Sequence, residues 1–187
     1  AVRGSAVTRL ATAALPHGLA SVAVESVRCD QSADRETAGR DPLPFDLRRG
    51  LAEQARTART PLETLARGRG DCEDFAIAKY VSLMELGVPQ NKLRLIYARA
   101  NLRAFGGPAS QAHMVLGYYE TPNSEPLILD NLSGRIETAS ARPELTPVFS
   151  FNGQGLWAGG QKAGSDPTAR LSRWRDLLAR LADEGFR

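Results

Sequence analysis

Two short alternating runs constrain this chain most, AHMVLGYY at 112–119 and EPLILDNL at 125–132. Each repeats with the period of two that marks a strand with one buried face. Joined over the four-residue loop Glu120–Asn123, they read as an antiparallel hairpin in which Tyr119 faces Ser124. His113 then lies directly opposite Asp130, and such cross-strand neighbours have Cβ atoms roughly 4.5–5.5 Å apart, within reach of a carboxylate–imidazole hydrogen bond. On the other face the same register pairs Met114 with Leu129 and Leu116 with Leu127, as a buried core requires. KLRLIYARA at 92–100 reads as a further strand.

Helical signals surround these strands. In TPLETLARGRG, Thr60 is placed to cap a short helix, Pro61 suits its first turn, Glu63 follows three residues after the cap, and Gly68 or Gly70 stops it. A longer helix follows at once, with Asp71 as its N-cap and Asp74 at the third helical position. Ile77, Val81 and Met84 give it an apolar stripe, and Gly87 and Pro89 end it. Near the C-terminus, SDPTARLSRWRDLLARLADEGF predicts an amphipathic helix capped by Asp166, with Pro167 in the first turn and Leu171, Trp174, Leu178 and Leu181 on one face. Acids mixed into its polar side favour docking on the core over a membrane surface.

The remainder of the chain is less regular. Residues 1–59 are rich in Ala, Arg, Gly, Asp and Ser without a sustained helical or strand period, and LRRGLAEQAR at 47–56 is their one helical stretch. RLATAAL at 9–15 and SVA at 21–23 resemble an export signal's apolar region and cleavage site, but Pro16, His17 and Gly18 interrupt the run, which favours an ordinary irregular N-terminus. With 187 residues, 42% of them hydrophobic, the chain can bury one core, so the boundary falls between an irregular segment, 1–59, and one folded domain, 60–187. No run approaches the roughly 18 apolar residues of a bilayer span, so no membrane insertion is expected. The net charge of +3 comes from scattered arginines and not from a basic block interleaved with aromatics, so nothing calls for a nucleic-acid partner.

Cys72 is one of only two cysteines and falls at the first residue of the second helix. Unpaired N–H groups and the positive end of the helix dipole favour an anion there, and the thiolate is the nucleophilic form of cysteine. Of the two histidines, His17 lies in the irregular segment and His113 on a strand beside Asp130. Cys72 as nucleophile, His113 as general base and then acid, and Asp130 as the group that fixes the imidazole tautomer therefore form a candidate triad. The structural alternatives are a small buried thiol and a satisfied strand histidine. The acidic neighbours Asp71, Glu73 and Asp74 would raise the thiol pKa. A bound cation would cancel that effect, and hard carboxylate ligands favour Ca²⁺; alternatively Asp71 and Asp74 merely cap the helix and Glu73 faces water. Cys29 reads as an inert thiol.

GDCEDFAIAKY, LGVPQNKLRLIYARA, AHMVLGYY, EPLILDNL and PVFSFNGQGLW, in that order and with matching intervals, resemble the bacterial transglutaminase-like cysteine proteinases, the periplasmic adhesin proteases among them. The closing RLSRWRDLLARLADEGF is similar to that family's C-terminal helix, so the resemblance covers about 60–187. It implies an α+β papain/transglutaminase-like fold, with a Cys-bearing helix packed on an antiparallel sheet, and the triad Cys72, His113 and Asp130. It further implies a Ca²⁺ requirement, with Asp71 and Glu73 as ligands and Asp74 left as a cap. Such enzymes are periplasmic. They clip the N-terminal region of a large surface adhesin at a site with adjacent small alanines, so that cells leave a biofilm, and the periplasmic domain of an inner-membrane cyclic-di-GMP receptor (LapD-like) holds them inactive. The family's aromatic-rich segment before TPLE is replaced here by AEQARTAR, and residues 1–59 match none of its motifs. A catalytically weak or inactive relative that binds the receptor or adhesin is the second reading.

Overall fold

The computed structural model describes the strands at 10–14 and 20–24 and residues 58–103, 110–164, 166–169 and 171–186. Both early helices start where their capping residues place them. Ahead of α1 (Pro61–Arg67), the Thr60 side chain accepts from the Glu63 N–H while the Glu63 carboxylate accepts from the Thr60 N–H. Gly68, with φ of 62°, closes α1 in the left-handed region that glycine adopts at little cost. Asp71 and Asp74 make the same reciprocal capping box ahead of α2 (Cys72–Glu85). Ile77 and Val81 are buried as the pattern predicts, but so are Phe75, Ala76, Lys79, Tyr80 and Leu83, and Met84 is only half-buried. A helix enclosed on most sides carries no single apolar stripe.

Seven strands form one antiparallel sheet in the order β6 (Glu137–Thr138), β5 (Leu127–Leu129), β4 (Gln111–Tyr118), β3 (Leu93–Ala100), β7 (Leu145–Asn152), β8 (Gly155–Ala158), β9 (Gln161–Gly164). One face carries the main core: Leu93, Leu95 and Tyr97 of β3 and Met114, Leu116 and Tyr118 of β4 pack with Ala76, Ile77 and Tyr80 of α2. The other face buries a smaller cluster of Ile96, Val115 and Ile128. The C-terminal helix, α3 (Ser172–Asp183), closes the main core through aromatic contacts. Trp174 meets Phe151 edge-on at 5.2 Å and Tyr80 at 5.8 Å, and Phe149 stacks on Tyr97 at 5.0 Å.

Three expectations change. The hairpin register is shifted by two residues: Leu116 faces Leu129, and Tyr118 faces Leu127, so Met114 has no ladder partner on β5. Pro126 explains this, because it has no N–H to donate and the second strand is held to Leu127–Leu129. A shift of two preserves the face of every side chain, which is why the core survives it. The C-terminal helix begins at Ser172, since Asp166 caps a separate turn by accepting from the N–H groups of Thr168 and Ala169. Its buried residues are Leu171, Trp174, Leu177 and Leu181, with Leu178 partly exposed. Finally, segments within the stretch read as irregular, Leu10–Ala14 and Ala20–Val24, form an antiparallel pair, β1 and β2, in register from Leu10↔Val24 to Ala14↔Ala20. The helix expected at 47–56, His17 and Cys29 lie outside the described residues.

Asn152 pins the turn between β7 and β8. Fully buried, it donates through Nδ2 to the carbonyls of Gln90 (3.1 Å) and Leu93 (2.9 Å) and accepts from the Gln154 N–H at 2.7 Å. Asn152→Ala should lower the unfolding free energy by about 2–3 kcal/mol, because it strands buried carbonyls. Asn152→Asp should cost at least as much, since an acceptor replaces the two donors; urea titration of the three proteins checks this order.

Candidate active site

Asp130 sits just past the end of β5, with its side chain 0% exposed. Its Oδ1 accepts from His113 Nε2 at 2.8 Å and from the Leu132 N–H at 3.0 Å. Its Oδ2 accepts from Arg142 Nη2 at 2.6 Å. The sequence-level pairing of His113 with Asp130 therefore holds, although through a different register: Asp130 has left the ladder and reaches back to His113, three residues before Leu116, the first position of β4 paired with β5. The Leu132 N–H contact is the local turn that aspartate makes with the backbone two residues on.

This arrangement keeps Asp130 ionised and selects the tautomer of a neutral His113. Burial pushes the Asp130 carboxyl up, but the hydrogen bond and charge of His113, the Leu132 N–H and the Arg142 guanidinium outweigh it and hold the group well below the usual carboxylate range. An ionised carboxylate only accepts, so the ring must donate through Nε2, and in its neutral form the lone pair then sits on Nδ1. That is the tautomer a general base needs, with its acceptor nitrogen turned away from the carboxylate.

Cys72 occupies the first residue of α2, half-buried against the main core and in no disulfide among the described residues. Its helix packs against β4, the strand that carries His113. Asp74, 0% exposed, ties the turn before the cysteine together. It accepts from the Arg59 N–H at 2.8 Å, from the Asp71 N–H at 3.2 Å, and from the Arg59 guanidinium in an ion pair. A Cβ at Gly70 would lie 2.8 Å from the Asp74 Cβ, so the turn closes this tightly only with glycine there.

The capping reading of the acidic flanks holds in part. Asp71 and Asp74 do cap the helix. Glu73 does not face water; it is 8% exposed. Burial raises the Asp71 carboxyl above its ordinary range despite the N–H groups it accepts from, and the charge of Asp74 adds to the rise. A buried Glu73 beside a half-buried Asp71 puts two hard carboxylates at one helix start, the ligand type that suits Ca²⁺. Asp71 and Glu73 could supply part of such a shell, with main-chain carbonyls and water completing it. Among the described residues no three His, Cys, Asp or Glu side chains form a ready-made metal cluster.

Sequence reasoning missed Arg142, Glu144 and Arg59. ARPEL at 141–145 carries no period or motif, so no local signal marks Arg142 as the partner of Asp130. Lys79 was also missed: it is buried on α2, and its Nζ lies 3.5 Å from the Leu129 carbonyl, next to Asp130.

Because the folded-state pKa of Asp130 is depressed, the stability it contributes is complete above its unfolded value, about 4, and is lost as pH falls from there toward the folded value. Lowering the pH from about 5 to 3 should therefore destabilise the wild type more steeply than Asp130→Asn. Urea midpoints across that window test the difference in slope.

The bacterial transglutaminase-like cysteine proteinase family model (BTLCP) matches residues 58–143. Among solved structures, Legionella pneumophila LapG is 47% identical over 67% of this chain and 64% of its own, with a TM-score of 0.58. The same protein treated with EGTA is 46% identical with a TM-score of 0.59, and its calcium-bound form is 38% identical over 76% of this chain and 82% of its own, also with a TM-score of 0.59. The chain thus spans less than two thirds of the length of the first two and most of the third. No curated protein matches it. The helix-and-antiparallel-sheet architecture is accordingly the α+β, papain-like fold, and the chain belongs to the bacterial transglutaminase-like cysteine proteinases.

Proposed function

We propose that this chain is a calcium-dependent cysteine endopeptidase. The observation that carries the reading is the buried His113–Asp130 pair, which leaves Nδ1 of the imidazole available on the strand against which the Cys72 helix packs. Cys72 Sγ gives its proton to His113 Nδ1 and attacks the scissile carbonyl carbon. His113 then protonates the leaving amine, and the C–N bond breaks to give a thioester. Water, deprotonated by His113, attacks the thioester; the acid leaves and the thiolate is restored. Asp130 stays ionised throughout and stabilises the imidazolium.

Ca²⁺ held by Asp71 and Glu73 would supply positive charge that offsets their upward pressure on the thiol pKa. The calcium-bound and EGTA-treated structures of Legionella pneumophila LapG support a role for this ion. The family resemblance supports a periplasmic setting, an adhesin N-terminal region with an Ala-Ala-like site as substrate, and control by a cyclic-di-GMP receptor. Among the described residues no helix is long and apolar enough to cross a membrane.

The test is cleavage of an adhesin N-terminal fragment by the purified chain with calcium and with EGTA. We expect calcium-dependent cutting, abolished by Cys72→Ala and reduced at least about 10³-fold by His113→Ala. Absence of cutting by a folded wild type with calcium overturns the protease and favours the binding relative. Capture of an added amine in place of water would identify a transglutaminase.

A further inference from the structure

Arg142 is the one guanidinium that reaches the Asp130 carboxylate among the described residues, and its own surroundings are unusual. Its side chain is 7% exposed. Nη2 donates to Asp130 Oδ2, Nε donates to Glu144 Oε1, and Nη1 is buried without a hydrogen-bond partner among the described residues. Buried ion pairs contribute little to stability compared with well-packed apolar residues, and a buried N–H with no acceptor costs more. Net stability therefore does not explain why a buried ion pair was built here, although removing the arginine from the finished pair would be costly.

Geometry does account for it. Without Arg142, the carboxylate would be held only through Oδ1, by His113 and Leu132, and could rotate about its Cβ–Cγ bond. The second donor on Oδ2 fixes the carboxylate plane, and Glu144 fixes the guanidinium in turn. We propose that Arg142, braced by Glu144, is a positioning residue of the catalytic centre: it locks Asp130 ionised and oriented, and so holds His113 in the Nε2–H tautomer. This rests on the protease reading for its effect on rate, but not for its effect on the imidazole.

The charged groups around Asp130 come from several elements. His113 lies on β4, Arg142 and Glu144 lie on the segment entering β7, and Lys79 of α2 has its Nζ on the neighbouring Leu129 carbonyl. Among the described residues, His113 and Arg142 donate to the carboxylate itself. Loss of either donor lets a desolvated carboxyl take up a proton at higher pH. A protonated Asp130 can donate to Nε2, which turns the imidazole to the opposite tautomer.

Two readouts test the proposal on the full chain. The first is the long-range ¹H–¹⁵N spectrum of the histidine rings, which is simple because the chain has two histidines and His17→Gln assigns them. The second is kcat and KM for the adhesin fragment across pH. In the Cys72→Ala background, where no thiol can protonate the ring, the neutral imidazole of His113 should carry its proton on Nε2. Arg142→Gln should lose that single tautomer there and, with Cys72 in place, about 10- to 100-fold in kcat, the usual scale for removing a group that orients a working histidine, with KM little changed. Arg142→Lys should restore the tautomer and most of kcat near neutrality, with the acid limb of the profile moved to higher pH.

If Arg142→Gln fails to fold, the acid limb of Arg142→Lys decides alone, and an unshifted limb overturns the proposal. An unchanged tautomer in folded Arg142→Gln also overturns it, whatever happens to the rate. A lost tautomer with unchanged kcat overturns the positioning role. A wild type that cuts nothing, yet loses the Nε2–H tautomer on Arg142→Gln, refutes the protease reading while supporting the brace.

Discussion

A single ionised carboxylate in a dry setting organises this molecule's candidate chemistry. Asp130 is stable there only because each of its oxygens is occupied: one by an imidazole and a backbone N–H, the other by an arginine. Removing a charge from water is costly, and the cost is met by specific donors whose positions then become fixed. The short β5, the chain reversal at Leu132 and the approach of Arg142 all converge on it. Their joint result is a histidine with a defined tautomer on a strand packed against a helix that starts with a cysteine.

The opposite charge problem occurs at the start of that helix. Asp71, Glu73 and Asp74 crowd one turn, and the fold distributes them unequally. Asp74 is neutralised by Arg59, Asp71 is spent on the cap yet pushed toward protonation by burial, and Glu73 is drawn inside. Backbone N–H groups at the helix start absorb part of this negative charge. The remainder is what makes a hard divalent cation chemically reasonable at this place.

What was legible in the sequence was local. Thr60 with Glu63 and Asp71 with Asp74 announce helix starts because a cap is a contact over three residues. Alternation announced β3 and β4, although the structure buries most residues on both of their faces. The register of β4 with β5 was misjudged by two, since Pro126 acts on the ladder through a missing N–H and not through hydrophobicity; parity still delivered His113 to Asp130. Strands β7 to β9 were not read as strands, although Asn152–Gly153 inside FSFNGQGLW is a hairpin signal. Arg142 and Arg59 were invisible because each acts on a residue 12 or 15 positions away through a single ion pair, which no periodicity encodes.

The chemistry turns on one transfer, in which His113, oriented by Asp130, takes the proton of Cys72. Its most direct test is the thiolate absorbance of the calcium-loaded chain titrated against pH, in the Cys29→Ser background, with and without His113→Ala. A thiolate–imidazolium pair should keep Cys72 ionised to well below the ordinary thiol value of about 8.5 and lose that advantage in the variant. Coincident titrations with and without the imidazole would contradict the claim.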